Sequence, residues 1–502
     1  MLLKFVNNRT TIRKLLAYNA GRPLPRGTKL SLPIREAREP LVIAFIRMGG
    51  ESRPWGVAYG PPGKPRILTV PEARDRELVG EMMEAFAPAL LEHLGHPKYV
   101  KQANVSTLPN VWLPNASHVE MLHFLAFTYT FAKRGDPARM EVLNPLGRAA
   151  NWLFQESTRP GQISCIDASL ALRDAFTFPA EEVRQAHTGF LLALLETRGG
   201  FESRLNAAGV AEQRAVSTSL DPAEEKKQIP EYVEEFNEAK RTANEARMRR
   251  LKALIHAALE PELRHRFEIT ARSIEVLTAD KREVNPGVED LFEMALESHS
   301  EYLKVESDIL AGEKGWVRSP ETDRNSLKAA THFVMLQAYE DRTMNALIHH
   351  DEELQNDLLA AGDGIRGKVV AVQDAGSGRK KRPIWTIDED VSRPLRARIG
   401  DKMVQAGQGN RRAELRQVLL GGKGLNRFQV EIVEGKTGAL EPSWKGNTVT
   451  LLSLNNPGFA FMKRKMIWDR TGPGIWLTHR QRWEDWAAAS GEDDRDIDAV
   501  NA

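Results

Sequence analysis

The sequence predicts an α+β chain with a small β-rich N-terminal region, a central mostly α-helical domain with a helical stalk, and a small C-terminal β-barrel. Three observations predict it. Before Pro71, short apolar runs are punctuated by Gly and Pro. From Pro71 to Gly362, apolar residues recur mostly at helical spacing. After Gly364 the pattern alternates between Gly-rich gaps.

Each region follows from its residues. In 1–75, Leu41 to Ile46, Trp55 to Tyr59 and Ile67 to Val70 read as strands of a small antiparallel sheet, broken at Gly49-Gly50 and Pro61-Pro62-Gly63. In 76–215, Glu77 to Leu94 places Leu78, Met82, Met83, Phe86, Leu90, Leu91 and Leu94 on one helical face. Ser117 and Glu120 have capping-box spacing, and Asp136-Pro137 and Phe178-Pro179 suit helix starts.

Residues 221–362 open on Asp221-Pro222-Ala223-Glu224, a cap, a proline at the first helical position and an acid. Breaks are expected at Pro230 and near Pro261 and Pro286. Between Glu231 and Leu259 a narrow apolar stripe (Val233, Phe236, Ala239, Leu251, Leu254, Ala258 among its members) suits a helical hairpin or stalk. Residues 221–313 hold 22 acids and 14 bases, so this segment is acidic. A further helix is expected from Asn325 to Ala361.

Residues 363–482 hold six short strands, at Lys368–Val372, Pro383–Ile387, Lys402–Ala406, Arg416–Leu420, Phe428–Val433 and Thr448–Leu452, spaced as in a small barrel. Residues 483–502 are an acidic tail, expected to be disordered. No internal repeat is found.

Composition sets the class. The 502 residues are 41% apolar and 27% charged, which suits a multidomain globular chain. The single cysteine, Cys165, rules out an internal disulfide and reads as a small buried hydrophobe. The start, MLLKFVNNRTTIRKLL, lacks a signal-peptide core, and no apolar run has membrane length. A cytoplasmic location is expected.

The net charge of +2 hides a strong asymmetry. Residues 366–482 hold 23 Lys/Arg against 10 Asp/Glu. The candidate nucleic-acid-binding residues are Arg379, Lys380, Lys381, Arg382, Arg396, Arg398, Arg411, Arg412, Lys463, Arg464 and Lys465, with aromatics such as Trp385, Phe428, Trp444 and Trp468 interleaved. Cations neutralise a phosphate backbone and release counterions, while aromatic faces stack bases. The alternative is a solvated basic surface over core tryptophans.

Other signals fall short of chemistry. Gly435-Lys436-Thr437 ends like a phosphate loop, but Val430 stands where that loop needs glycine. A hairpin turn is expected there. His349-His350-Asp351 resembles part of a metal site, with His332 nearest, but the ligand set is incomplete. His118 and His123 lie five apart and miss a shared helical face. No Cys-x-x-Cys or Gly-x-Ser-x-Gly occurs. No catalytic residue, metal or cofactor is assigned.

The order of acidic helical segment and basic barrel resembles the stalk-and-barrel region of bacterial Upf-type superfamily-one helicases. The stretches that carry the resemblance are GIRGKVVAVQDAGSGRKKRPIWTI, PLRARIGDKMVQAGQGNRRAELRQV and FQVEIVEG, and VWLPNASHVEMLHFLAF and PGIWLTHR are similar to segments upstream of such motors. The phosphate loop, Asp-Glu pair and arginine fingers of the family's motor are not identifiable. The resemblance therefore implies a motorless relative, or the N-terminal half of a split helicase, whose barrel touches DNA or RNA beside a separate helicase or nuclease, in a setting such as anti-phage or mobile-element defence. The alternative is a structural scaffold that docks through its helical stalk without nucleic acid.

Overall fold

A computed structural model describes residues 13–26, 39–48, 53–101, 107–132, 136–159, 161–181, 184–220, 229–313, 326–376, 381–421 and 425–454, with backbone alone over 326–336. The chain divides into two compact units. The first comprises Met1–Glu313 and His350–Ala361, and the second Lys314–His349 and Gly362–Ala502.

The first unit is built on a five-stranded mixed sheet of order β4-β3-β2-β5-β6, where β2 is Leu41–Arg47, β3 Pro54–Gly60, β4 Arg66–Thr69, β5 Val111–Leu113 and β6 Cys165–Asp167. The three early strands pair antiparallel, as the sequence predicts. The two three-residue strands β5 and β6 extend the sheet in parallel from β2. A separate ribbon pairs β1 (Leu24–Pro25) with β7 (Phe176–Thr177).

Helices cover both faces of the sheet. Strand β2 is apolar from Leu41 to Ile46 because neither face meets water there: all six residues are buried. On one face α1 (Arg76–His93) brings Phe86 against Phe45 and Tyr59, with ring centroids 6.2 and 5.1 Å apart. On the other lies α8 (Glu245–Ala279), whose Leu263 reaches Gly56. The residues of regions 1–75, 76–215 and the acidic helical segment thus share one core.

The remaining helices are α2 (Ala116–Tyr129), α3 (Pro137–Ser157), α4 (Ala168–Ala175), α5 (Thr188–Glu196), α6 (Phe201–Glu212), α7 (Ile229–Arg241), α9 (Gly287–Leu310), α10 (Ser326–His350) and α11 (Glu352–Ala361). Helices α7 and α8 form the expected helical hairpin, closed by Phe236, Ala239 and Leu251. Several local expectations change. Helix α8 runs through Pro261 without a break. Helix α2 is capped by Asn115, whose Oδ1 accepts from the Ser117 N–H, in place of a Ser117–Glu120 box. No described helix starts at Pro179, and the expected helix 325–361 is two helices that part at Asp351. The start at Asp221 lies outside the described residues, as does the tail 483–502.

A buried ion cluster fastens α9 to this unit. Arg148 of α3 donates twice to Glu306 of α9, each at 2.6 Å, and His96 lies 3.0 Å from the same carboxylate. Burial alone raises the Glu306 pKa, but the Arg148 and His96 hydrogen bonds outweigh it and hold the group below its usual range.

The second unit holds the predicted barrel. It is closed and six-stranded, in the order β10-β11-β12-β9-β8-β13. The strands are β8 Gly364–Asp374, β9 Pro383–Glu389, β10 Lys402–Gln405, β11 Gln408–Leu420, β12 Asn426–Glu434 and β13 Thr448–Leu452. Its lumen is filled by Ile365, Val369, Trp385, Ile387, Met403, Leu415, Phe428, Val430, Ile432 and Leu451. Trp385 and Phe428 are thus core residues and present no stacking face.

Candidate nucleic-acid interface

The strand register sorts the predicted cations to the two ends of the barrel. Asp374 at the end of β8 pairs with Pro383 at the start of β9, and Arg412 near the start of β11 pairs with Glu434 at the end of β12. Lys381, Arg382, Arg411 and Arg412 therefore gather at one end. The segment carrying Arg396 and Arg398 lies at the other, where the Arg396 N–H donates to the Gly362 carbonyl that precedes β8. Arg379, Lys380, Lys463, Arg464 and Lys465 lie outside the described residues.

Most of the arginines are already committed. Glu431 of β12 accepts from Arg382 at 2.9 and 2.6 Å and from Arg416 at 2.9 Å. These guanidiniums, Arg382 foremost, hold the Glu431 carboxyl down to about 2 against the opposing effect of burial. Arg396 pairs with Asp363 at 3.1 Å and Arg412 with Glu434 at 3.3 Å. Arg427 pairs with Asp388 and Arg393 with Asp390. Bidentate geometry suits guanidinium to carboxylate, so the two signs interleave across neighbouring strands and their fields largely cancel.

Arg411 departs furthest from expectation. It is 7% exposed, so it does not meet solvent as a phosphate ligand would require. Its guanidinium sits 4.8 Å from the Trp444 ring centroid and 5.5 Å from that of Trp385. It donates to the carbonyls of Gly435 (3.2 Å) and Thr437 (3.0 Å) and to Gln405 Oε1 (3.3 Å). This cation organises the barrel mouth from within.

Lysine behaves differently. Lys368, Lys381, Lys402, Lys436 and Lys445 are exposed, and none pairs with a carboxylate among the described residues. Two of these residues adjoin, because the Lys436 Nζ donates to the backbone carbonyl of Lys381 at 3.4 Å. Lys436 belongs to the Gly-Lys-Thr triplet, which is not a hairpin turn. It opens the connection from β12 to β13, two strands that pair with other neighbours. Isolated lysines escape a search for charge clusters, and only the triplet marked Lys436.

The first unit offers another place to look, since open α/β sheets bind ligands at the carboxyl ends of their parallel strands. There the polar groups serve as helix caps. Asp167 accepts from the Leu170 N–H and the Ser169 hydroxyl, and Asn115 caps α2. His118 Nδ1 accepts from the Phe45 N–H at 3.0 Å, and its Nε2 lies 2.9 Å from the Val216 carbonyl. Asp351 accepts from the Leu354 N–H as a cap of α11. Among the described residues no group of three or more His, Cys, Asp or Glu could hold a metal ion.

Cys165 is wholly buried in β6, and burial pushes its thiol well above the usual range. Among the described residues no helix is long and apolar enough to cross a membrane. The chain matches no protein-family model, no curated protein and no solved structure.

Proposed function

We propose that the chain is a nucleic-acid-binding accessory protein that contacts the phosphate backbone through one end of its barrel and works beside a separate helicase or nuclease. The observation that carries this reading is the contact of the exposed Lys436 ammonium with the backbone carbonyl of Lys381, which brings two exposed lysines, neither in an ion pair among the described residues, onto adjoining connections. The β8–β9 connection adds Arg379 and Lys380 in sequence. Residues 366–454 carry 17 Lys/Arg against 9 Asp/Glu, so charge remains after the arginine pairs are discounted.

The test is binding to single- and double-stranded DNA and RNA across a salt series. Each phosphate neutralised contributes about 0.9 to the log–log salt slope on duplex DNA, so Lys381→Glu with Lys436→Glu should flatten it by about 2. Affinity without a salt slope, or a slope unchanged in the double variant, refutes the reading.

A second reading, a scaffold that docks proteins, is supported by one feature of the first unit. Phe127 is 73% exposed and Phe131 43% exposed, beside a cavity of about 770 Å³ floored by Val79, Met140 and Leu143. Clustered exposed aromatics suit a contact surface. Of the predicted stripe, Phe236, Ala239 and Leu251 are buried against one another between α7 and α8 and so are not offered to a partner. A partner held by the wild type but lost by Phe127→Ser with Phe131→Ser would support the scaffold.

A further inference from the structure

The Gly435–Gly438 turn is fixed in an unusual way. Gly435 has φ +64°, and a Cβ there would lie 2.6 Å from the Asn410 carbonyl oxygen, so only glycine fits. The carbonyls of Gly435 and Thr437 point inward to the Arg411 guanidinium. The peptides are trans and planar, so an N–H points opposite to the carbonyl of its own peptide unit. The N–H groups of Lys436 and Gly438 therefore point away from Arg411, and neither has an acceptor among the described residues. The Lys436 ammonium donates to the backbone carbonyl of Lys381 at 3.4 Å, so the exposed Lys381 adjoins this turn. Carboxylates also stand near: Glu441 Oε1 lies 3.0 Å from where a Gly438 Cβ would be, and Asp374, held low mainly by the Arg382 and Gly376 N–H groups, is also lowered by the Lys381 charge.

We propose that this turn is a seat for a single phosphate group, held by the Lys436 and Gly438 N–H groups and the Lys436 and Lys381 ammoniums. Outward backbone N–H groups beside a lysine form an anion-binding concavity. The buried Arg411 plays the part of a strut, turning the carbonyls away from the ligand and adding positive charge behind them. Glu441 opposes the anion, so it limits affinity and favours a ligand that brings more than one charge. The seat deepens the polyanion reading of the same barrel end, and it would also accept a free phosphate compound.

The experiment uses the full chain labelled with ¹⁵N-glycine and ¹⁵N-lysine. Amide shifts are followed against inorganic pyrophosphate, a 5′-hydroxyl oligothymidylate and its 5′-phosphorylated form, with chloride at matched ionic strength as control. Saturable shifts at Lys436 and Gly438 are expected with pyrophosphate. Lys436→Ala should weaken pyrophosphate binding about tenfold, as loss of a charge-assisted contact does, and Glu441→Gln should strengthen it several-fold.

Shifts with the 5′-hydroxyl strand mark a backbone diester as occupant, and shifts with the phosphorylated strand alone mark a terminal phosphate. If pyrophosphate shifts the turn but neither strand does, the seat stands and the nucleic-acid reading falls. If strands bind while Lys436 and Gly438 stay unmoved by every anion, or move equally with chloride, the seat is refuted.

Discussion

His118 sets up a pH dependence that can be worked through in full. Its ring is wholly buried between β2 and the segment at Val216, accepting from Phe45 N–H through Nδ1. With Nδ1 as acceptor, Nε2 carries the proton and donates to the Val216 carbonyl at 2.9 Å. The neutral ring satisfies both partners, whereas a protonated ring would turn Nδ1 into a donor facing a donor. Burial, foremost, together with nearby Arg266 and Arg47 lowers its pKa from 6.5 to about 3, against the contrary pull of the Val216 hydrogen bond.

Because the folded value is lowered, the unfolded chain binds the proton first as pH falls. Stability from this group is therefore complete above about pH 6.5 and declines between there and about pH 3. At pH 5, about 1.5 units below the unfolded value, the loss is about 2 kcal/mol at 1.36 kcal/mol per unit. His265, lowered to about 4 mainly by burial, adds in the same direction. Asp174, raised to about 6 mainly by burial, opposes both, since folding then favours its protonated form as pH falls. The wild type alone cannot separate these, but the difference between wild type and His118→Phe can. Urea denaturation from pH 7 to 5 should show a decline smaller by about 2 kcal/mol in the variant. The His118 ring proton, followed by NMR, should not titrate above about pH 4. A midpoint near 6.5, or equal declines in both proteins, would sink the reasoning.

Two more substitutions test the packing. Glu306→Gln leaves the buried Arg148 without its carboxylate and should destabilise the first unit by about 3–5 kcal/mol in thermal or urea unfolding, while Arg148→Met with Glu306→Leu should recover most of that. Gly147 of α3 lies so close to the end of α2 that a Cβ there would sit 2.3 Å from the Thr130 backbone nitrogen; Gly147→Ala should cost about 1–3 kcal/mol, read as a fall in the unfolding midpoint.

What the sequence revealed depended on how locally each feature is encoded. The barrel was legible because alternation over six segments needs no distant information, and Thr448–Leu452 is a strand over its expected span. The run from Leu41 was legible as a strand through unbroken apolarity. By contrast, β5 and β6 are three residues each, too short for any period to show, and their parallel pairing joins positions far apart in the chain. Pro261 misled because tertiary burial of Leu259 and Leu263 on the sheet sustains the helix through the missing N–H. Ser117 and Asn115 compete for the same cap, since both types accept from first-turn N–H groups, and Asn115 supplies it.

The charged site was the least legible part, for a geometric reason. Glu431 is 49 positions from Arg382 and 15 from Arg416, yet pairing of β12 with β9 and β11 brings all three together. A count along the chain treats those arginines as free charge, but folding spends their fork geometry on carboxylates. Lysine has no such fork, and Lys368, Lys381, Lys402, Lys436 and Lys445 stay exposed. The ion pairs of Arg382, Arg393, Arg396 and Arg412 thus neutralise part of the barrel's outer surface. The proposed phosphate contact rests instead on Lys381 and Lys436, whose proximity depends on strand register. The same register sets Arg411 behind the Gly435–Gly438 turn, so one closed sheet both cancels the abundant charge and orients the scarce one.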